Sequence, residues 1–126
     1  MCRAALIAFL LSACVSSSPR EGTTASLTVD ERRMYFVDQA APSQAVVQSA
    51  VDAAIAGDDA KLAYVISLGR FTDGEGALNF GDLLLQLQRV VGSDRFRRVL
   101  ATVPAETRDS AQGCMKAAEE TRRAYE

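Results

Sequence analysis

Apolar residues recur at helical spacing in two short stretches between residues 43 and 69. Ser43 suits the N-cap of a first helix, and Gly57 suits the left-handed position just past its end. Asp58 suits the N-cap of a second helix, which we expect to end at Gly69. The expected apolar residues are Val46, Val47, Ala50, Val51, Ala54 and Ile55 in the first helix, then Leu62, Val65 and Ile66 in the second. The pattern predicts a helical hairpin with a tight turn.

The stretch RFTDGEGAL, residues 70–78, is the longest predicted break after residue 43. We expect Asn79 to cap the helix that follows, with Asp82 in its first turn, where a negative charge is favourable. Gly92 is expected to end this helix. Its expected apolar face is Phe80, Leu83, Leu84, Leu87, Val90 and Val91.

Two further helices are predicted towards the end of the sequence. We expect Ser93 to cap the first of them, and Pro104 to stand in the first turn of the second. The expected inward residues are Phe96, Val99, Leu100 and Val103, followed by Ala111, Cys114, Met115, Ala118 and Tyr125. Short turns between neighbouring helices favour an all-α fold, a compact bundle of four to six short helices.

Ahead of these helices, Thr28-Val29-Asp30-Glu31 has the form of a capping box. It predicts a helix from about residue 29 to residue 40, stopped before Pro42. The segment MYFV at 34–37 is also compatible with a short strand.

The chain opens on Arg3 and an apolar run over residues 4–13. Ten residues of helix measure about 15 Å, half of a hydrocarbon core of about 30 Å, so the run is too short for a membrane span. It is typical of a secretory signal, and a buried cytosolic helix is the alternative. Ordinary signal cleavage after Ala13 needs a small residue three positions before the cut, where Leu11 is large.

Leu11-Ser12-Ala13-Cys14 resembles the lipobox of bacterial lipoproteins. The resemblance implies a diacylglycerol on the Cys14 sulfur, cleavage before Cys14 and acylation of the new amino terminus. In Gram-negative lipoproteins, Asp directly after the lipidated cysteine resembles an inner-membrane retention mark. Val15 stands at that position here, which favours attachment to the outer membrane, facing the periplasm. We therefore divide the chain into a signal peptide (1–13), a lipidated cysteine with a flexible linker (14–27) and a helical domain (28–126).

Composition narrows the function. The formal net charge is −2, so we expect no binding to nucleic acid. The chain has no His, which removes the commonest general base and a common metal ligand. After processing, Cys114 would be the one cysteine beside the lipidated Cys14. It is expected to be a buried thiol, with an intermolecular disulfide or a ligand-facing thiol as alternatives.

No catalytic or metal motif stands out. The adjacent acids Asp58-Asp59 and Glu119-Glu120 are expected at exposed helix positions, where carboxyl groups are not tuned for acid–base work. The calcium-loop pattern fails from Asp73 onwards, because the sequence has leucines where Gly and the final Glu are required. We expect no enzyme, no cofactor and no metal site.

The remaining candidate is a basic patch of four arginines: Arg89, Arg95, Arg97 and Arg98. Ion pairs with Asp94 on a solvated face are one interpretation, and contact with lipid headgroups or an acidic partner is the other. The hypothesis from sequence is a lipid-anchored envelope protein that acts by binding an unknown envelope protein. The alternative is a periplasmic carrier of small apolar ligands, with a cavity between the predicted Phe80–Val91 helix and its neighbours.

Overall fold

The computed structural model describes residues 25–29 and 41–126. These residues form an all-α bundle with no strand among them, as the sequence predicted. The elements are α1 (Gln44–Ile55), α2 (Asp59–Ile66), a 3-10 helix (Ser67–Phe71), α3 (Gly74–Val91), α4 (Ser93–Leu100) and α5 (Ala105–Ala124). The signal peptide, Cys14, most of the linker and residues 30–40 of the predicted first helix lie outside the described residues. Residues 25–29 have no regular secondary structure.

The α1–α2 hairpin forms as predicted because its polar caps satisfy free backbone groups. The Ser43 hydroxyl accepts a hydrogen bond from the Val46 N–H at 3.4 Å. The Asp58 carboxylate accepts one from the Lys61 N–H at 3.0 Å. Gly57 takes a φ of +117°, which residues with a Cβ rarely adopt. Val46 was wrongly assigned to the inner face. It is 48% exposed, because it lies outside the buried stripe of α1, which consists of Val47, Ala50, Val51 and Ala54.

The predicted break after α2 is mostly helical. Gly69 does not end a helix: the chain passes through it as a 3-10 helix, and α3 begins at Gly74, six residues before the expected first residue Phe80. Asn79 and Asp82 therefore lie inside α3 and not at its start. Tertiary packing outweighs the low helix propensity of glycine here, because α3 turns its buried Gly76 towards the rest of the bundle.

Glycines let neighbouring elements approach closely in the centre of the bundle. A Cβ added at Gly69 would lie 3.1 Å from the Phe80 ring, and one added at Gly81 would overlap the Cys114 carbonyl of α5. Asp82, which was predicted in the first turn of α3, instead forms an ion pair with Arg122 of α5 at 2.7 Å. One glycine and one ion pair thus contribute to the contact between α3 and α5.

The last two helices keep their predicted core and change at their ends. Phe96, Val99, Leu100 and Val103 are all buried, as expected. Gly92, with a φ of +93°, ends α3 and also provides the N-cap of α4, so Ser93 is the first helical residue and not the cap.

Pro104 is likewise the N-cap of α5 and not a residue of its first turn. The inner face of α5 holds buried Ala111 and Ala118, with Cys114 and Met115 partly buried beside them. Tyr125 is 89% exposed, contrary to prediction, because α5 ends one residue before it. The core is formed mainly by fully buried aliphatic and aromatic side chains: Val47, Val51, Leu62, Val65, Ile66, Phe80, Leu84, Leu87 and Phe96.

Candidate functional site

An extended segment of the chain lies against α1 and is held there by two glutamines. Both polar atoms of the Gln48 carboxamide form hydrogen bonds with this segment. Its Nε2 donates to the Leu27 carbonyl at 2.9 Å, and its Oε1 accepts from the Val29 N–H at 2.7 Å. One turn earlier, the Gln44 Nε2 donates to the Val29 carbonyl at 2.7 Å. We call Gln44 and Gln48, with the apolar site beneath Val29, the α1 clamp.

Apolar packing completes the α1 clamp. Val29 is only 1% exposed and belongs to the core, while Leu27 packs partly buried against that core. Thr28, between them, is exposed. Asp52 fixes the orientation of the Gln48 carboxamide by accepting from its Nε2 at 2.9 Å. The clamp therefore suits an extended segment with apolar residues at its first and third positions and a solvent-facing residue at its second.

Sequence reasoning missed this site. Gln44, Gln48 and Asp52 lie four residues apart on one flank of α1, a spacing that predicts neighbouring side chains on a helix. Such a polar row beside an apolar stripe is ordinary on surface helices. Nothing in the row itself indicates that its partner is the backbone of residues 27–29.

The predicted basic patch divides in the structure. Arg95 turns towards α1 and α2, where its Nε donates to the Asp59 carboxylate at 2.7 Å and its Nη1 to the Ala54 carbonyl at 2.6 Å. Its side chain is 18% exposed. Its buried Nη2 has no hydrogen-bond partner within residues 25–29 and 41–126. Arg95 thus connects α4 to the α1–α2 hairpin and does not offer its charge to a partner.

The other three arginines stay on the surface. Arg97 makes a long contact of 3.4 Å with Asp94, as helical spacing predicted. Arg89 is exposed in the last turn of α3, and Arg98 is exposed in the last turn of α4. These side chains are available to an acidic surface, which keeps that part of the patch as a candidate.

A groove runs between α3, α4 and α5. Its volume is about 270 Å³. Half-buried Leu85 and Met115 stand in its wall, and the charged side chains of Lys116 and Glu119 border it. The groove is open to solvent, and the core side chains of α3 beneath it are fully buried, so it gives little support to an enclosed apolar cavity. Its complete lining is Leu85, Gln88, Phe96, Leu100, Gln112, Met115, Lys116 and Glu119.

Two larger grooves have different linings. One of about 470 Å³ lies between α1 and α2, beside the exposed Val46 and the half-buried Tyr64. Another of about 460 Å³ lies between the 3-10 helix and the start of α5, and hydroxyl groups of Ser67, Thr107 and Ser110 line it. The second is too polar to fit the predicted carrier of apolar ligands.

Cys114 is partly buried where α5 crosses α3. Burial raises the pKa of its thiol, and a hydrogen bond with Thr72 offsets part of that rise. The thiol is therefore protonated and weakly nucleophilic at neutral pH. It has the environment of a packing residue.

The adjacent acids have structural partners. Asp58 caps α2 and Asp59 pairs with Arg95. Glu119 pairs with Arg123 one turn later on the exposed side of α5. In the described part of the chain, no group of three or more His, Cys, Asp or Glu residues is arranged to hold a metal ion. None of the helices described has the length and apolar character to cross a membrane.

Comparisons of the chain with protein-family models, with curated proteins and with solved structures found no match.

Proposed function

We propose that this protein is a cell-envelope lipoprotein, anchored by lipid on Cys14, whose helical domain acts by binding another envelope protein. The observation that supports the anchor is the lipobox-like sequence Leu11-Ser12-Ala13-Cys14, and the docking of Leu27 and Val29 on α1 fixes where the chain leading to it joins the domain. Twelve residues, 15–26, separate Leu27 from Cys14 along the chain. Fully extended, that length is about 45 Å, so a lipid on Cys14 keeps the domain close to the membrane.

The packing order of the helices then gives the domain two sides. α1 packs against α2 and α3, whereas α5 packs against α3, the 3-10 helix and α2. The segment that leads to Cys14 therefore joins the domain on the α1 side, and α5 is across the bundle from it. The α3–α4–α5 groove lies away from that segment, and the described residues leave it open to a partner.

The groove has the composition of a small protein contact. Partly buried apolar residues in its wall, Leu85 and Met115, are surrounded by polar and charged side chains. Protein interfaces combine an apolar centre with a polar rim in this way. Arg89, Arg97 and Arg98 add positive charge on α3 and α4, which favours a partner with an acidic surface.

The anchor is tested by the intact mass of the protein extracted from membranes, beside a Cys14→Ser variant. A chain that starts at Cys14 and carries added acyl mass supports the proposal. We expect the Cys14→Ser chain to lack that mass. An unprocessed chain starting at Met1 in the soluble fraction would refute the anchor, and with it the assignment to the envelope.

The partner is tested by photo-crosslinking in intact cells. A photoreactive residue replaces Met115 in the groove, and Asp109, exposed on the same helix outside the groove, is the matched control position. A discrete adduct formed from position 115 and not from position 109 supports binding through the groove. The photoreactive residue is also placed at Arg89, Arg97 and Arg98 in turn. If neither position 115 nor these three positions gave a specific adduct, the binding function would lose its support even with the anchor confirmed.

A further inference from the structure

We infer that the α1 clamp is an exchange site: the Leu27–Val29 segment of a second copy of this chain binds in it in place of the chain's own segment. The partner is thus a second copy of the protein, and the element exchanged is an extended peptide. This inference goes beyond the proposed function and holds whether or not Cys14 is lipidated.

The clamp recognises features that any copy of the segment provides. Its three hydrogen bonds go to main-chain atoms of Leu27 and Val29, and its apolar site takes the Val29 side chain. A second copy carries the same residues, so every contact within the site is the same after exchange. Exchange of an identical element between protomers has little cost for this reason.

The segment can leave without breaking a backbone hydrogen bond of the described helices. Residues 25–29 belong to no helix or strand, and the hydrogen bonds that hold Leu27 and Val29 come from glutamine side chains. Gln44 and Gln48 are both partly exposed, so water can replace the lost partners. Release is therefore a local opening, which requires less free energy than unfolding of the bundle.

The connection is long enough for exchange. Eleven residues, 30–40, separate Val29 from Ala41. When extended, this connection spans about 40 Å. In the structure Val29 bonds to Gln44, three residues beyond Ala41, so the two ends of the connection lie within about 20 Å of each other. A connection in its extended form exceeds this separation and allows Val29 to reach the clamp of a neighbouring copy.

The chain's own segment is the competitor. A short linker gives an attached segment an effective concentration on the order of millimolar. Exchange is therefore rare in dilute solution and increases as copies become crowded. A variant whose own segment cannot bind removes this competition, which makes the exchange measurable.

The test mixes two full-length variants, each with Cys2, Cys14 and Cys114 replaced by Ser. The acceptor is labelled with 15N and carries Val29→Asp, which keeps its clamp and prevents its own segment from entering the apolar site. The donor carries Gln44→Ala and Gln48→Ala, which remove its clamp, and a nitroxide attached through Thr28→Cys. Circular dichroism first establishes that both variants keep their helices.

We expect the donor to reduce the amide signals of acceptor residues Gln48 and Asp52 when the two are mixed at millimolar concentration. The control donor carries the same substitutions and nitroxide together with Val29→Asp. Its residues 27–29 therefore cannot enter the apolar site of the acceptor's clamp. Equal signal loss with the donor and the control donor would overturn the inference. So would a signal loss confined to residues away from the clamp, because contact between copies would then occur elsewhere.

Discussion

At the scale of single residues, one crowded glycine and one glycine in open space show how packing decides whether an added methyl group stabilises or destabilises the fold. Gly81 lies where α3 and α5 touch, and a Cβ there would overlap the Cys114 carbonyl. Gly113, the neighbour of Cys114 in sequence, has no atom within 4 Å of an added Cβ. Both lie in helix interiors, so intrinsic propensity alone favours Ala at both positions.

We predict that Gly81→Ala lowers the free energy of unfolding by about 3 kcal/mol, because the helices must move apart to accept the methyl group. Gly113→Ala is the matched control and should raise it by about 1 kcal/mol, the difference in helix propensity. Urea unfolding followed by circular dichroism measures both. Similar effects for the two variants would contradict the close α3–α5 contact.

Cys114 gives a second prediction at this scale. Burial raises the pKa of its thiol, so less thiolate is present at a given pH than for an exposed cysteine. In a chain with Cys2 and Cys14 replaced by Ser, we expect its alkylation by iodoacetamide to need a more alkaline pH than alkylation of an exposed thiol.

The matched exposed thiol is Gly113→Cys combined with Cys114→Ser, one residue away on the open side of α5. The rate of alkylation against pH is measured for both proteins. If Cys114 reacted at the lower pH of the two, its interpretation as a packing residue would be wrong.

At the scale of elements, single polar side chains fix how helices meet. Arg95 of α4 bonds both to Asp59 of α2 and to the Ala54 carbonyl of α1. The carbonyl lies at the end of α1, where a positive charge also interacts favourably with the helix dipole. A residue that the sequence placed in a binding patch thus connects three helices.

We predict that Arg95→Ala lowers the free energy of unfolding by about 2 kcal/mol, through the loss of charge-assisted hydrogen bonds at a mostly buried side chain. Arg97→Ala is the control from the same helix. It should change stability by at most about 0.5 kcal/mol, because exposed ion pairs contribute little. Equal losses in urea unfolding would show that Arg95 has no special role.

The helices also show which of their boundaries the sequence could predict. The α1–α2 hairpin was predicted with its caps because Ser43 and Asp58 act on backbone groups three residues away. The start of α3 was predicted six residues too late. Its Gly-Glu-Gly sequence has low helix propensity, which the burial of Gly76 in the bundle outweighs.

At the scale of the whole molecule, the attachment of residues 27–29 decides where the amino-terminal region joins the domain. Leu27 was assigned to the flexible linker, yet it packs partly buried against the core. The carboxamide of Gln48 holds the backbone on both sides of Thr28. This side chain is therefore the contact most directly open to test.

We predict that Gln48→Ala increases amide hydrogen exchange at Val29 and lowers the free energy of unfolding by about 1 kcal/mol, the net value of typical hydrogen bonds. Gln112→Ala, at an exposed position of α5, should change neither quantity. Exchange at Val29 is followed by NMR. Unchanged protection of that amide in the Gln48→Ala chain would show that the clamp does not hold the segment.

The sequence by itself determined the all-α class, the α1–α2 hairpin and most of the core, since these follow from apolar periodicity and caps that act within a few residues. Only the tertiary structure decided the start of α3, the contact at Gly81, the role of Arg95 and the α1 clamp. Each of these depends on atoms brought together from distant parts of the chain. A local pattern shows that a glutamine or an arginine is available on a helix, and the packing of the bundle determines which group it meets.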